Sequence, residues 1–228
     1  MKPFILMLLT TVIAATGCKE PSSLPGENCM IKFSGITFTQ SLNNASKNTT
    51  VENGRLTIHS DAKKDYFNDP DGKLTNGTAP VLLTSVNNEE PFTLTAKITP
   101  SFKAMYDAGV LYVYSTEKHW QKFCFERDER GRTRVVSVRT IETSDDNNHD
   151  ILTGEAVYFK LSSDTKTLGM YYSTDNSTWN LARLYKNDFP AEIWLGLSAQ
   201  SPIGDGTDAV FENCSLTNIA VKDFRAGL

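Results

Sequence analysis

Short runs of alternating apolar and polar residues, broken by turn residues, fill the chain from Met30 onward. Phe92-Thr-Leu-Thr-Ala-Lys-Ile98 is the clearest of them. Phe92, Leu94, Ala96 and Ile98 fall on one side and polar residues on the other, the period-two pattern of a half-buried strand. Arg55–His59 alternates likewise, and Ala79–Val86 is an apolar run with threonines. Further strands are predicted over Ala108–Tyr114, Trp120–Glu126, Thr133–Ile141, Val157–Leu161, Leu168–Ser173, Ile193–Ala199 and Val210–Ile219, about ten in all. Asp128-Glu129-Arg130-Gly131 predicts a hairpin with glycine in the left-handed region. Asp175-Asn176 predicts a second, because both residues tolerate positive φ. Ser60–Thr78, Ile141–Leu152 and Ser201–Ala209 read as irregular loops. No amphipathic helix longer than two turns is visible. Many short strands with turn signals between them imply an all-β sandwich or barrel.

One predicted strand has two unlike faces. In His119-Trp120-Gln121-Lys122-Phe123-Cys124-Phe125-Glu126, Phe123 and Phe125 point one way, and Lys122, Cys124 and Glu126 the other. An ordinary solvent face has no need of lysine, glutamate, tryptophan and histidine beside Tyr112 and Tyr114. Such a face suits the floor of a binding cleft. Lys122 and Glu126 are four residues apart, roughly 13 Å by strand rise, so each is expected to meet a neighbouring strand, at Arg139 or Tyr112. The competing reading is a cross-strand ion pair on a half-exposed sheet.

The N-terminus adds a second element. Met1–Gly17 has a basic Lys2, an apolar run from Phe4 to Ala15 and small residues before Cys18, as a secretory signal does. Ala15-Thr16-Gly17-Cys18 looks like a bacterial lipobox, which makes Cys18 the lipidated first residue of the mature chain. Lys19–Glu27, rich in proline, serine and glycine, reads as a tether. The expected organisation is a signal peptide over 1–17, the lipidated cysteine and tether over 18–29, and one domain over 30–228. The expected location is the bacterial cell envelope, at the outer membrane.

Net charge is −4 over 228 residues, and removing 1–17 takes one lysine and no acid. With no basic stripe, nucleic acid is not an expected partner, and a monomer is expected. Three cysteines remain beyond Cys18. Cys29 and Cys214, near opposite ends of the domain, are a possible disulfide, and Cys124 reads as a small packing residue. No cofactor is expected. Two acidic segments, Asp69-Pro70-Asp71-Gly72 and Asp145 to Asp150 with His149, are conceivable calcium loops, but neither matches a full loop and both read better as solvated turns.

Several blocks together carry a family likeness. These are Asp65-Tyr66-Phe67, Asp107-Ala108-Gly109-Val110-Leu111, Trp120-Gln121-Lys122 with Phe125-Glu126, Val136–Thr140, Tyr171-Tyr172-Ser173 with Trp179, and Gly196–Pro202. In order and spacing the chain from Ile31 to Ile219 resembles the family known as domain of unknown function 1349, of the concanavalin A-like lectin/glucanase superfamily. It departs from the family pattern at Arg139 and Tyr66. The resemblance implies a jelly-roll sandwich of two curved antiparallel sheets, with ligands on the concave sheet and its bordering loops.

Glucan-cleaving members of that superfamily carry three carboxylates along one strand. Here Glu126 and Asp128 begin such a row, but positions 130 and 131 are arginine and glycine. Retaining hydrolysis needs two carboxyl groups about 5 Å apart, so this mechanism lacks a partner on the strand. The leading expectation is carbohydrate binding. Lys122, Glu126 and Arg139 would orient the sugar, Tyr112, Trp120 and Trp194 would stack on it, and Gln200 would border the cleft, with Tyr114, His119 and Asp145 as further contacts. The alternatives are a glycoside hydrolase or polysaccharide lyase, pairing Glu126 with Asp145 or Asp107, and an accessory lipoprotein that binds another protein.

Overall fold

The computed structural model describes residues 24–228. Its strands, in chain order, begin with β1 (Glu27–Phe33), β2 (Ile36–Leu42), β3 (Thr49–Glu52), β4 (Arg55–Asp61), β5 (Tyr66–Asn68) and β6 (Thr75–Gly77). There follow β7 (Val81–Asn87), β8 (Phe92–Pro100), β9 (Ala108–Thr116), β10 (His119–Arg127), β11 (Thr133–Ile141) and β12 (Thr143–Ile151). The last are β13 (Val157–Ser163), β14 (Thr167–Ser173), β15 (Asn180–Lys186), β16 (Glu192–Gln200) and β17 (Gly206–Thr217). Among the described residues there is no helix.

Two antiparallel sheets form a sandwich. The first has eight strands in the order β1-β2-β7-β16-β9-β10-β11-β12, and the second has seven, β15-β14-β13-β8-β17-β4-β3. A separate hairpin pairs β5 with β6. All ten strands read from the sequence are present. The all-β sandwich follows from the alternation: Phe92, Leu94, Ala96 and Ile98 of β8 enter the space between the sheets, facing Leu111, Val113, Phe123 and Phe125. Phe123 stacks on Phe159 of the opposite sheet with centroids 3.9 Å apart. Each such aromatic removes a large apolar surface from water, worth roughly 2–3 kcal/mol.

Three features were not legible in the alternation. Strands β1, β2, β3 and β15 were not predicted: β1, β3 and β15 are sheet edges and β2 lies between β1 and β7, and β1 takes in Glu27 to Cys29 ahead of the expected domain start. Thr143–Ile151 is a regular edge strand, not a loop. It pairs with β11 through Arg139↔Asp145 and Thr140↔Ser144, so tertiary pairing overrides the poor strand propensity of Asp-Asp-Asn-Asn. Charged residues on an outermost strand also discourage pairing with another chain. Finally, Ser60–Thr78 contains the β5–β6 hairpin.

Cys29 and Cys214 are free thiols, so the disulfide raised as a possibility is not formed in this structure. They sit on opposite sheets, Cys29 on the edge strand β1 and Cys214 on β17, inside the other sheet. Each serves as packing against the shared core, and the Cys29 thiol donates to the Phe38 carbonyl at 3.4 Å. The residues of the expected signal peptide and lipobox, including Cys18, lie outside the described residues.

Candidate functional site

Strand parity separates the expected site residues into two groups. Tyr112, Tyr114, Trp120 and Trp194 share the face of the eight-stranded sheet turned away from the second sheet. Lys122, Glu126 and Gln200 lie on the same face, joined by hydrogen bonds. Arg139 does not join them. It pairs in register with Gln121, not Lys122, and therefore points to the opposite side. There its guanidinium lies over the Tyr185 ring, 5.4 Å from the centroid, and bridges to Asp188. Asp145 and His119 follow it: Asp145 pairs with Arg183, and His119 stacks on Phe189 at 4.2 Å, beside Asp188. The period-two rule that placed Lys122 and Glu126 together also removes Arg139 and Asp145 from their face.

The expected binding floor is roofed. The β5–β6 hairpin and the residues before it lie across it. The Tyr66 ring meets Trp120, Tyr112 and Tyr114 edge-on, with centroids 5.2, 5.9 and 6.3 Å away. Edge-to-face packing sets the positive rim of one ring against the negative face of another. Asn68 anchors the far end of the hairpin: its amide donates to the carbonyls of Glu142 at 3.0 Å and Glu117 at 3.4 Å, and its backbone N–H to the Ser144 hydroxyl at 3.0 Å. As a result Trp120 and Tyr112 are 0% exposed and Lys122 is 3% exposed. Stacking of a ligand on Trp120 or Tyr112, as expected from the sequence, is not available in this arrangement.

Beneath the roof is a polar chain. The Lys122 ammonium donates to the Asp65 carboxylate at 3.2 Å and to the Gln200 amide oxygen at 3.0 Å. The Gln200 amide nitrogen donates to Glu126 at 3.3 Å. Burial pushes the Glu126 carboxyl up to about 8, against the pull of Lys122, so it is protonated near neutrality. Burial also works to lower Lys122, but the Asp65 carboxylate outweighs it and the lysine stays charged. Asp146, across from Val138 on the same face, sits on the exposed edge strand β12, and partial desolvation raises its carboxyl. It is the acid of the 145–150 stretch that shares a face with Glu126, a role the sequence reading had given to Asp145. The Tyr112 hydroxyl has no partner.

The other carboxyls are committed to structure. Asp128 caps the β10–β11 turn, accepting from the amides of Arg130 and Arg132 at 2.9 Å and from the Arg132 side chain. Burial opposes its charge, yet these donors hold it below the usual carboxylate range. Gly131, at φ 73°, sits in the left-handed region as expected. Asp107 accepts from the amides of Lys103 and Ala104 and from the Ser201 hydroxyl, closing the loop before β9. Of the two acidic segments, Asp71 pairs with Lys73, Asp145 with Arg183, and Asp150 with the Tyr172 hydroxyl. Among the described residues, no group of three or more His, Cys, Asp or Glu side chains could hold a metal.

At one end of the roofed face an open cleft of about 1120 Å³ remains. Asn43, Asn44, Ser115, Thr116 and the acids Glu27, Glu117 and Glu192 line it, with Tyr66, Tyr114 and Trp194 behind them, only 4–5% exposed. Tyr114 and Trp194 are direct cross-strand partners on β9 and β16. Asn43 and Asn44 make the turn after β2 at φ 52° and 60°, and the Asn43 amide donates to the carbonyls of Gly77 and Ala79, fixing that wall. The sequence reading missed the part played here by Tyr66, Asn43 and the three glutamates. Tyr66 was visible only within the Asp65-Tyr66-Phe67 family block, as a departure from its pattern, and the glutamates come from separate parts of the chain.

Comparison with known proteins places this geometry. A Saccharomyces cerevisiae protein, "Regulation of enolase protein 1", is 26% identical over 176 residues, covering 76% of this chain and 87% of that protein. A functionally unknown protein from the same yeast has a crystal structure similar at TM-score 0.72, with 24% identity over 80% of this chain and 97% of that one. A GH43 protein from Bacillus licheniformis matches at TM-score 0.61 and 14% identity, over 80% of this chain but only 36% of its own. Lectin I-B4 from Griffonia simplicifolia matches at 0.50 and 11%, over 75% and 90%. These likenesses establish the lectin-like β-sandwich. They also correct the expected location. The yeast matches come from a eukaryote, which has no outer membrane, so placement in a bacterial envelope is overturned and its lipoprotein and signal-peptide reading loses support. The family described as "Protein of unknown function (DUF1349)" matches residues 42–219, most of the chain, and the protein belongs to it.

Proposed function

We propose that the protein binds carbohydrate in the open cleft at the Tyr114–Trp194 end of the eight-stranded sheet. The observation that carries this reading is the polar lining of that cleft: the amides of Asn43 and Asn44, the hydroxyls of Ser115 and Thr116 and three carboxylates, set against Tyr66, Tyr114 and Trp194, which are only 4–5% exposed. Amides, hydroxyls and carboxylates bond sugar hydroxyls and fix a ligand's orientation. Two structural neighbours, a lectin and a GH43 protein, are consistent with a glycan ligand for this fold. The roofed part of the face then serves to hold the hairpin, and through it Tyr66, in place.

Binding is favoured over cutting. Glu126 is covered and protonated near neutrality, and Asp107, Asp128 and Asp145 are each bonded elsewhere. A glycan array followed by calorimetry tests the proposal. Wild-type protein is expected to bind at least one oligosaccharide, and Trp194→Ala to weaken that binding tenfold or more. Failure to bind any glycan, or undiminished affinity in the Trp194→Ala protein, would sink it.

A further inference from the structure

Along one edge the two sheets meet through polar side chains. There β12 ends the eight-stranded sheet and β15 the seven-stranded one. Two of the chain's three histidines lie at this seam. His149 of β12 shares a hydrogen bond with the Ser137 hydroxyl of β11 at 2.8 Å. Arg183 of β15 reaches the same hydroxyl at 3.5 Å and bridges to Asp145 of β12 at 2.6 Å. Arg134 of β11 donates to the His149 carbonyl at 2.7 Å, and the acid beside it, Asp150, accepts from the Tyr172 hydroxyl of β14. His119 of β10 stacks on Phe189 and lies 3.6 Å from Asp188, which the Arg139 guanidinium already holds. The seam is incompletely bonded. Both amide atoms of Gln121, which is 0% exposed, have no partner, and neither do the buried Tyr185 hydroxyl, Arg139 Nε and His119 Nε2. Unpaired buried polar atoms cost free energy, so this edge is held less firmly than the apolar core.

We infer that this edge is an acid-sensitive latch: protonation of His119 and His149 parts β12 from β15 while the rest of the sandwich stays folded. Burial opposes the charged form of both rings and holds both below the ordinary histidine value. At His149 the Arg183 and Arg134 guanidiniums add to that effect, and Asp150 works against it. At His119 Asp188 works against burial, and Arg139 adds to it. Burial keeps the Tyr185 phenol, which faces Arg183, Arg139 and Asp188, neutral throughout. The opened edge takes up protons first, so the latch is fully shut above the ordinary histidine value of about 6.5 and weakens as pH falls below it. Each strand is hydrogen-bonded to a single neighbour, so both fray once their contact across the seam is lost. Glu126 and Asp146 titrate with the opposite sign, because burial raises them, and they lie on the far face of the eight-stranded sheet. The segment carrying Asp188 and Phe189 continues into Pro190, Ala191 and Glu192 of the cleft lining, so the latch adjoins the proposed binding site.

Amide hydrogen exchange, read strand by strand from about pH 7.5 to about pH 4 and corrected for the intrinsic rate at each pH, tests the latch. Protection of the β12 and β15 amides is expected to fall about tenfold or more, with a midpoint between about pH 5 and 6.5, the range of a depressed histidine. Strands β8, β9 and β17 should keep their protection over that range. The His119→Gln/His149→Gln protein, whose amides cannot take up a proton, should show no such step, and each single variant should show a smaller one. Constant protection in β12 and β15, an equal fall in every strand, or a full step in the double variant overturns the inference. If the double variant is open at every pH, the midpoint in the wild-type protein decides: one below about 4.5 belongs to carboxylates and overturns the inference as well.

Discussion

Lys122 on β10 and Asp65, fifty-seven residues earlier, meet at 3.2 Å beneath the β5–β6 hairpin. The lysine side chain is 4% exposed and the aspartate 18%. This contact ties a long connection between the two sheets to the middle of the first sheet, and places Tyr66, the next residue, against Tyr112, Tyr114 and Trp120. One wall of the cleft therefore depends on an ion pair that lies outside its lining.

Removing one partner leaves a buried charge with no counter-charge. Asp65→Ala is expected to destabilise the protein by about 3 kcal/mol, because Lys122 stays covered. The double variant Asp65→Leu/Lys122→Met should recover most of that loss, since a buried ion pair is often no more stable than apolar groups of similar volume. Urea unfolding of the two variants checks this. A double variant no more stable than Asp65→Ala contradicts it.

Glu126 makes stability depend on pH. Its carboxyl is raised from 4.5 to about 8, chiefly by burial, so the folded state keeps a proton that the unfolded chain loses first. The contribution is complete below the unfolded value and falls as pH rises from about 4.5 to about 8, with a slope of about 1.4 kcal/mol per pH unit at most. Glu126→Gln, which cannot ionise, should flatten that decline. Melting curves at intervals between pH 5 and 9 decide the matter, and parallel pH profiles for the two proteins would refute it.

The thiols offer a chemical check. Burial raises Cys214 to about 12 and holds Cys124 well above its ordinary value. Thiolate is the reactive form, so both should react slowly with Ellman reagent in the native state at pH 8. In denaturant without reductant, Cys29, Cys124 and Cys214 should all react. Loss of two of these thiols until reductant is added would mean that a disulfide forms after all.

Gly109 on β9 reports on packing between the sheets. A Cβ there would come within 2.4 Å of the Ile98 side chain and 3.2 Å of Ala209. Gly109→Ala should cost about 1–3 kcal/mol, the usual range for overpacking. The urea midpoint should fall while the slope of the transition stays constant. An unchanged midpoint would show that the sheets are free to separate slightly at this point.

Alternation along the chain was sufficient to read the core strands and their inward faces. Phe92 to Ile98 and Trp120 to Glu126 follow the predicted parity, because side chains on a strand must point to opposite faces whatever the surroundings. The same rule, applied from β10 to β11, depends on register, and register is a property of two strands. That is why Arg139 and Asp145 were grouped with Lys122 in the sequence reading and lie on the other side in the structure. The acidic strand β12 and the hairpin in Ser60–Thr78 carry no strong local signal and form because a partner strand or a sheet face is waiting for them. Family likeness along Ile31–Ile219 was legible in the residues themselves, whereas the location inferred from the first eighteen residues did not survive comparison. Most of all, the sequence by itself determined that a polar, aromatic face exists. Only the tertiary structure decided that Tyr66 and Asp65 cover most of it, leaving at the Tyr114–Trp194 end a cleft lined by three glutamates distant in sequence, because a cleft is made by contacts between segments that no local pattern brings together.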